Sequence, residues 1–297
     1  MKGSLVIAPC MTLFVSLWVW TQSIYASEAY QMAISASYFE VEDDGQNSLT
    51  GHSIFLRQYF YPVNTLGHPL AEAAFLERNG SIELFVTISE SKLGSTLGVD
   101  GLDYGVGLTH ARRGSPLVFQ AFYAKGDDEF KAPLIGDLTS DRYGLGIGVF
   151  IEDGFLVDVS YETSERERTI VGLRDVSFDD RFYSLNVKRV KKRGRGQAVN
   201  LELGLGLNRF DEPGENGSNT IGSLSGDYYF NPRMSLGGAI QVNRGDEKDN
   251  EGETYAVSIV IFLNPSLAIA LYYDRFHADN ASGEADDTFS AAMTGRF

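Results

Sequence analysis

At 297 residues, with 25 Lys and Arg against 40 Asp and Glu, the chain carries a formal net charge of -15, which excludes nucleic acid as an electrostatic partner. Gly is abundant at 32, aromatics reach 12% and Pro is only 8, a composition suited to many extended segments joined by wet loops. The single cysteine, Cys10, lies in the first apolar stretch, so the rest of the chain can form neither a disulfide nor a Cys-ligated metal site.

The start, Met1-Lys2 followed by an apolar run from Leu5 to Trp20, has small-residue cleavage sites at Ile24-Tyr-Ala26 and Ser27-Glu-Ala29. This predicts a secretory signal over 1-26 and a mature chain over 27-297. The run is short of the ~20 apolar residues of a helical span. Ile7-Ala-Pro-Cys10 also departs from the usual lipoprotein signal.

Beyond the signal the pattern has a period of two. Apolar residues alternate through Tyr30 to Tyr38, Ile82 to Ile88, Leu102 to Leu108, Leu117 to Tyr123, Tyr143 to Ile151 and Phe155 to Tyr161. The same alternation returns through Val199 to Leu207, Tyr255 to Leu263 and Leu267 to Tyr273. Weaker matches fill 52-60, 178-189, 219-230 and 234-243, and the terminal segment brings the count to about 14 strands. Tyr123, Tyr143, Tyr161, Tyr255 and Tyr273 end apolar rows, where the aromatic girdles of a membrane barrel would lie.

Connections alternate in character. Tight turns are predicted at Arg112-Arg-Gly-Ser-Pro116, Asp153-Gly154, Lys191 to Gly196, Asn231-Pro-Arg233 and Asn264-Pro-Ser266. Longer acidic loops are predicted at 42-50, 126-139, 165-176, 211-218, 245-252 and 278-287, and 91-100 belongs with this long set by position. Short periplasmic turns opposite long extracellular loops is the bacterial barrel pattern, and an even strand count puts both termini on the periplasmic side. The expected fold is therefore all-β: one closed antiparallel transmembrane β-barrel.

One connection breaks the rule. Tyr59-Phe-Tyr-Pro-Val63 leads through His68 into Pro69-Leu-Ala-Glu-Ala-Ala-Phe75-Leu-Glu-Arg78 and Gly80, too apolar for a free loop. Pro69 could open a short helix through Phe75 that Gly80 ends. This 62-79 segment could narrow the periplasmic mouth, and packing against the rim is the favoured reading because apolar residues usually mean burial. Tyr-Phe-x-Pro-Val followed by Pro-Leu-Ala-Glu-Ala-Ala-Phe-Leu-x-Arg resembles the putative general bacterial porin family of gammaproteobacteria. The resemblance implies an outer-membrane channel without a catalytic residue or cofactor.

The chain ends Phe289-Ser-Ala-Ala-Met293-Thr-Gly-Arg-Phe297. A last strand closing on Phe297 resembles the C-terminal signature of Gram-negative outer-membrane barrels, although Gly295 stands where a large apolar residue is usual. The resemblance implies assembly partners, the barrel-assembly machinery and periplasmic chaperones. Lipid and lipopolysaccharide of the cell outer membrane would surround the barrel.

On the water side the alternation places Arg57, Glu83, Asp103, Asp158, Glu162, Glu202, Asp227, Asp274 and Arg296. Acids outnumber bases, which predicts a hydrated pore for small hydrophilic solutes with a weak cation preference. The alternative is a closed barrel with a structural, adhesion or receptor role through its extracellular loops. Asp127-Asp-Glu129, Asp179-Asp180 and the acidic run 245-251 lack the spacing of a calcium loop, and solvated loops are the simpler reading. The basic run Lys188 to Arg195 is expected at a periplasmic turn, facing either water or lipid headgroups.

Enzymatic signals are thin. His52, His68, His110 and His277 are the only imidazoles, and His277-Ala-Asp279 is a faint echo of a protease dyad, so no enzyme, cofactor or metal is expected. Gly144-Leu-Gly-Ile-Gly148 alternates with apolar residues and lacks the strand-to-helix context of a phosphate loop.

Overall fold

The structure, a computed structural model, describes residues 29-42, 47-93, 97-131, 136-169, 176-212, 215-245, 251-278 and 285-297. The expected signal over 1-26 lies outside the described residues, as does Asp279. No helix among the described residues is long and apolar enough to cross a membrane.

Fourteen antiparallel strands form a single closed barrel. In chain order they are β1 Ala29–Glu42, β2 Ser48–Asn64, β3 Ser81–Leu93, β4 Leu97–Ala111, β5 Leu117–Phe130, β6 Leu138–Glu152 and β7 Phe155–Arg168. The second half comprises β8 Val176–Lys192, β9 Ala198–Glu212, β10 Glu215–Asn231, β11 Met234–Gly245, β12 Gly252–Asn264, β13 Leu267–Ala278 and β14 Ala285–Arg296. Each strand pairs with its sequence neighbours, and β1 pairs with β14 from Ala33↔Arg296 to Glu42↔Asp287. Past that ladder, the Phe297 carbonyl accepts from the Gln31 and Met32 amides at 2.7 and 2.9 Å, and the Phe297 amide donates to Met32 O at 2.9 Å. Closure leaves no sheet edge, which is the condition for a sheet to cross hydrocarbon.

The alternation sorts the side chains. One face carries large exposed apolar residues, among them Ile54 at 58%, Leu145 at 67% and Leu205 at 61% exposure. The other carries Gly, Ser, Asn and charged residues. Register links the polar face continuously around the wall, for example Asp103↔Gly126, Gly144↔Glu162, Asp158↔Asn186 and Asp227↔Gly237. Gly144, Gly146 and Gly148 sit on this inner face, opposite Phe122, Gln120 and Val118.

The strands run 12 to 17 residues, longer than the apolar rows that announce them. Three stretches expected in loops are mostly strand: Asp127-Asp-Glu129 lies on β5, Asp179-Asp180 on β8, and 211-218 is split between β9 and β10. Backbone pairing continues into water at little cost, whereas the apolar pattern stops where lipid does, so periodicity underestimates strand length. The tight turns follow their sequences. Gly154 takes φ 75° between β6 and β7, and the Asn231 and Asn264 side chains each accept a hydrogen bond from the amide two residues on, at 2.8 Å.

Between β2 and β3 the chain forms a 3-10 turn at Leu70–Glu72 and one α-helical turn, α1, at Ala73–Leu76. The helix ends earlier than Gly80, the terminator expected from sequence. Arg78 takes φ 49°, a left-handed conformation uncommon outside glycine, and turns the chain. Gly80 serves a different need: a Cβ there would lie 2.6 Å from Thr109 O and 2.9 Å from the Ala111 amide nitrogen.

The seam makes Phe297 a structural link as well as a terminal mark. Deleting Phe297 is expected to reduce the folded barrel recovered from the outer membrane, read by surface level and heat-modifiable mobility. Normal levels of the truncated protein would contradict this.

Candidate functional site

The segment between β2 and β3 folds into the mouth of the barrel at the end where β1 begins and β14 finishes, and meets the wall on several sides. Ala73 packs against Tyr30, Tyr59 and fully buried Val63 of β1 and β2. Phe75 packs against Ala111, Val118, Phe150 and Leu156 of β4 to β7, its ring 5.4 Å from that of Phe150. Leu70 reaches Phe262 and Ala268 of β12 and β13, and its amide donates to Pro232 O at 2.8 Å. Sixteen residues, 65-80, thus form a plug across the lumen.

Polar contacts fasten it. Glu72, only 6% exposed, accepts from the Tyr229 hydroxyl at 2.9 Å and pairs with Lys188 at 3.0 Å. Lys188 also holds Glu202 at 2.8 Å and stands 4.9 Å over the Phe75 ring. On the opposite wall Arg296 donates to Leu70 O at 2.9 Å, with its guanidinium between the Tyr30 and Phe262 rings at 4.6 and 4.5 Å. Arg78 fixes the end of the plug through Asp153 at 2.7 Å and lies 4.6 Å over Phe150. At the outer side of the plug His68 Nε2 lies 2.9 Å from Glu77 Oε1, and Arg113 approaches Glu77 at 3.6 Å.

Above the plug, a cavity of about 410 Å³ opens into the lumen between α1 and the wall from β2 to β7. Phe75, Arg78, Arg57, Glu83, Gln120 and Glu162 are among its lining residues. It combines apolar rings with fixed charges in a space that water can fill.

All nine charged residues singled out from the sequence lie on the one polar face, but their surroundings differ. Arg57 pairs with Glu83, Arg142 with Asp103 at 3.0 Å, and Lys188 with Glu202. Asp158 accepts from Asn186 at 3.0 Å, and Asp227 from Asn200 at 3.2 Å. Arg296 belongs to the plug's anchor. Glu162 and Asp274 have no cationic partner within ion-pair distance among the described residues.

Sequence reasoning missed Arg142, Lys188 and Glu72. Lys188 falls in the basic run 188-195, yet alternation divides that run: Lys188 points inward, Arg189 outward to Glu152 at 2.8 Å, and Lys191, Lys192 and Arg193 are exposed. The inward parity of β8 was the available signal. Glu72 had none, because its partners lie more than 100 residues away in sequence. Among the histidines, His52 packs against Tyr38 and His110 against Phe60 on the outer face, while His277 is exposed. No group of three or more metal-ligating side chains occurs among the described residues.

A family described as "Putative general bacterial porin" matches residues 5-297. The chain belongs to this porin family. The porin is similar in fold to the outer membrane protein Omp33 of Acinetobacter baumannii. That likeness has a TM-score of 0.55 and 18% identity, covering 91% of this chain and 99% of that one. It also resembles the toluene transporter TodX of Pseudomonas putida, with a TM-score of 0.50 and 8% identity over 90% of this chain and 88% of the other. A deltaS2 mutant of TodX, a monoaromatic hydrocarbon channel, gives a TM-score of 0.51 at 10% identity, covering 91% of this chain and 90% of that one. No curated protein gives a significant match. The porin is thus an outer-membrane β-barrel channel of a Gram-negative bacterium, embedded in outer-membrane lipid.

Two predictions concern the plug. In Glu72→Ala the buried pair loses its acid, at a cost toward the lower end of about 3-5 kcal/mol because Lys188 keeps Glu202. Tryptic cleavage after Arg78 in the folded barrel should therefore accelerate; unchanged cleavage would show the plug held without Glu72. Burial, then the positive charge of Lys192 and to a lesser degree that of Arg113, hold the His68 pKa below its ordinary 6.5, outweighing the hydrogen bond that Glu77 accepts and its negative charge. A lowered native pKa means docking is unaffected above about pH 6.5 and weakens as pH falls from there toward the native value. Normalised at each pH to cleavage of an unfolded peptide carrying the same Arg78 bond, the cleavage should be relatively faster at pH 5.5 than at 7.5, and His68→Gln should flatten that difference.

Proposed function

We propose that this porin is a narrow water-filled channel for passive diffusion of small hydrophilic solutes, weakly selective for cations. The observation that carries this reading is the inner wall. It is charged, polar and glycine-rich along the whole register, and the acids without an ion pair among the described residues, Glu162 and Asp274, lie on it beside partly compensated Asp158 and Asp227. Fixed negative charge in a water-filled lumen raises the local cation concentration. Arg142 and Lys188 offset part of that charge, so the preference is modest.

Both termini and the plug lie at the periplasmic side in this reading, since that end has the short turns between β4 and β5, β6 and β7, β10 and β11, and β12 and β13. Residues 1-26 act as the cleaved signal, and the strand ending at Phe297 is read by the barrel-assembly machinery after escort by periplasmic chaperones. Passage needs no cofactor and no bond-making step; width at the plug and charge on the wall set which solutes pass. The plug's contacts with several walls favour one second reading, a barrel closed at rest and used through its extracellular loops.

Planar-bilayer recordings separate the two. Discrete current steps with a reversal potential of cation sign in a salt gradient are expected, and Glu162→Gln with Asp274→Asn should move that potential toward zero. An anion-signed potential contradicts the selectivity, and a silent, correctly folded barrel supports the closed reading.

A further inference from the structure

On the outer face of the barrel, Arg181 of β8 stands directly opposite Arg209 of β9. Their strand neighbours Asp180, Phe182, Asn208 and Phe210 belong to the inner-facing register, so both guanidinium groups point away from the lumen. Both residues are exposed, and neither has an ion pair or hydrogen bond through its side chain among the described residues. Cβ atoms of such a pair lie about 4.5-5.5 Å apart, and like charges so placed repel each other. Other outward arginines at this end have acids: Arg244 pairs with Glu253 at 3.5 Å and Arg275 with Asp287 at 3.7 Å. The Arg181–Arg209 pair thus has no ion-paired carboxylate among the described residues, its same-face acids Asp179 and Asp211 standing two residues, about 7 Å, along each strand, and it is open to an anion from outside the chain.

Its surroundings say from which side the anion comes. One step toward the loops, register lines up Asp141, Glu165, Asp179 and Asp211 in consecutive strands on the same face. That acidic row repels a free anion arriving from water. One step toward the middle of the barrel stands the pair Tyr183↔Leu207, with the Tyr183 ring 5.1 Å from Tyr161 in the aromatic girdle. Below these, an apolar depression of about 430 Å³ runs over the outer face of β8 to β11. Leu185, Leu203, Leu205, Leu224 and Ile240 line it around Gly222. Leu185 and Leu205 lie four residues below the two arginines on their own strands, about 13 Å along the barrel wall.

We propose that Arg181 and Arg209 bind a headgroup phosphate of an acylated, phosphorylated glycolipid of the outer leaflet, lipopolysaccharide, with one acyl chain lying in the depression below. Two guanidinium forks suit a phosphate through paired charge-assisted hydrogen bonds. The amphiphile satisfies both parts of the site at once and reaches it through the membrane, where no acid stands in the way. The inference rests on the reading that this end of the barrel faces outside.

The test uses the full-length protein in detergent and native mass spectrometry with purified diphosphorylated lipid A as the probe. Wild type should retain the lipid, and Arg181→Gln with Arg209→Gln should weaken binding about tenfold or more. Gly222→Leu, which fills the depression without changing charge, should also weaken it. Unchanged binding by the double variant, with heat-modifiable mobility showing an intact barrel, would overturn the site. So would equal binding of dephosphorylated lipid A, or loss of the lipid to millimolar inorganic phosphate, which would identify a free-anion site. A preference for phosphatidylglycerol over lipid A would overturn the choice of ligand. Orientation is read separately by labelling Thr139→Cys on whole cells with an impermeant reagent, and binding in detergent is independent of conduction.

Discussion

A polypeptide crossing hydrocarbon must pair every backbone N–H and C=O within itself, and in this chain the requirement is met only when β1 and β14 meet. Everything else follows from that seam. Closing an even number of antiparallel strands brings the start of β1 and the end of β14 to one end, and the period of two then decides for each side chain whether it faces outward or into the lumen. Leu145 and Glu162 are separated by little in sequence, yet one is among the most exposed apolar side chains of the outer face and the other lines the inner cavity.

The interior imposes a second constraint, since charges inside a narrow lumen must be hydrated or paired. The wall uses both solutions. Arg57 with Glu83 and Arg142 with Asp103 are wall pairs, whereas Lys188 bridges the wall acid Glu202 and the plug acid Glu72. That bridge makes the plug part of the wall's charge balance. Aromatic and aliphatic contacts supply its bulk through Phe75 and Leu70, and Arg296 ties the opposite side, so one short segment is fastened to several parts of the wall.

Alternation made the strands, the tight turns and the inner face legible in the sequence, because lipid on one side and water on the other write a pattern of period two. It did not reveal where strands end. Asp127, Asp179 and Asp211 are polar and look like loop residues, but strand pairing carries on into water past the last apolar row. Nor could it reveal contacts across the lumen. Pro69, Leu70 and Phe75 marked the plug as apolar and short-helical, consistent with packing at the rim, but the partners of Glu72 and Arg296 are fixed only once the barrel closes. The basic run 188-195 misled for a related reason: counted as a block it reads as a surface patch, but by parity Lys188 is an interior residue.

In the proposed function a hydrated, acidic lumen lies behind a plug that limits flow. This is tested most directly by replacing residues 66-79 with a short Gly-Ser linker and comparing single-channel conductance with the intact protein in planar bilayers. Conductance should be several times larger in the linker variant, with the cation-signed reversal potential retained. Equal conductance in both proteins, or no current from a linker variant that still forms a heat-modifiable barrel, would contradict it.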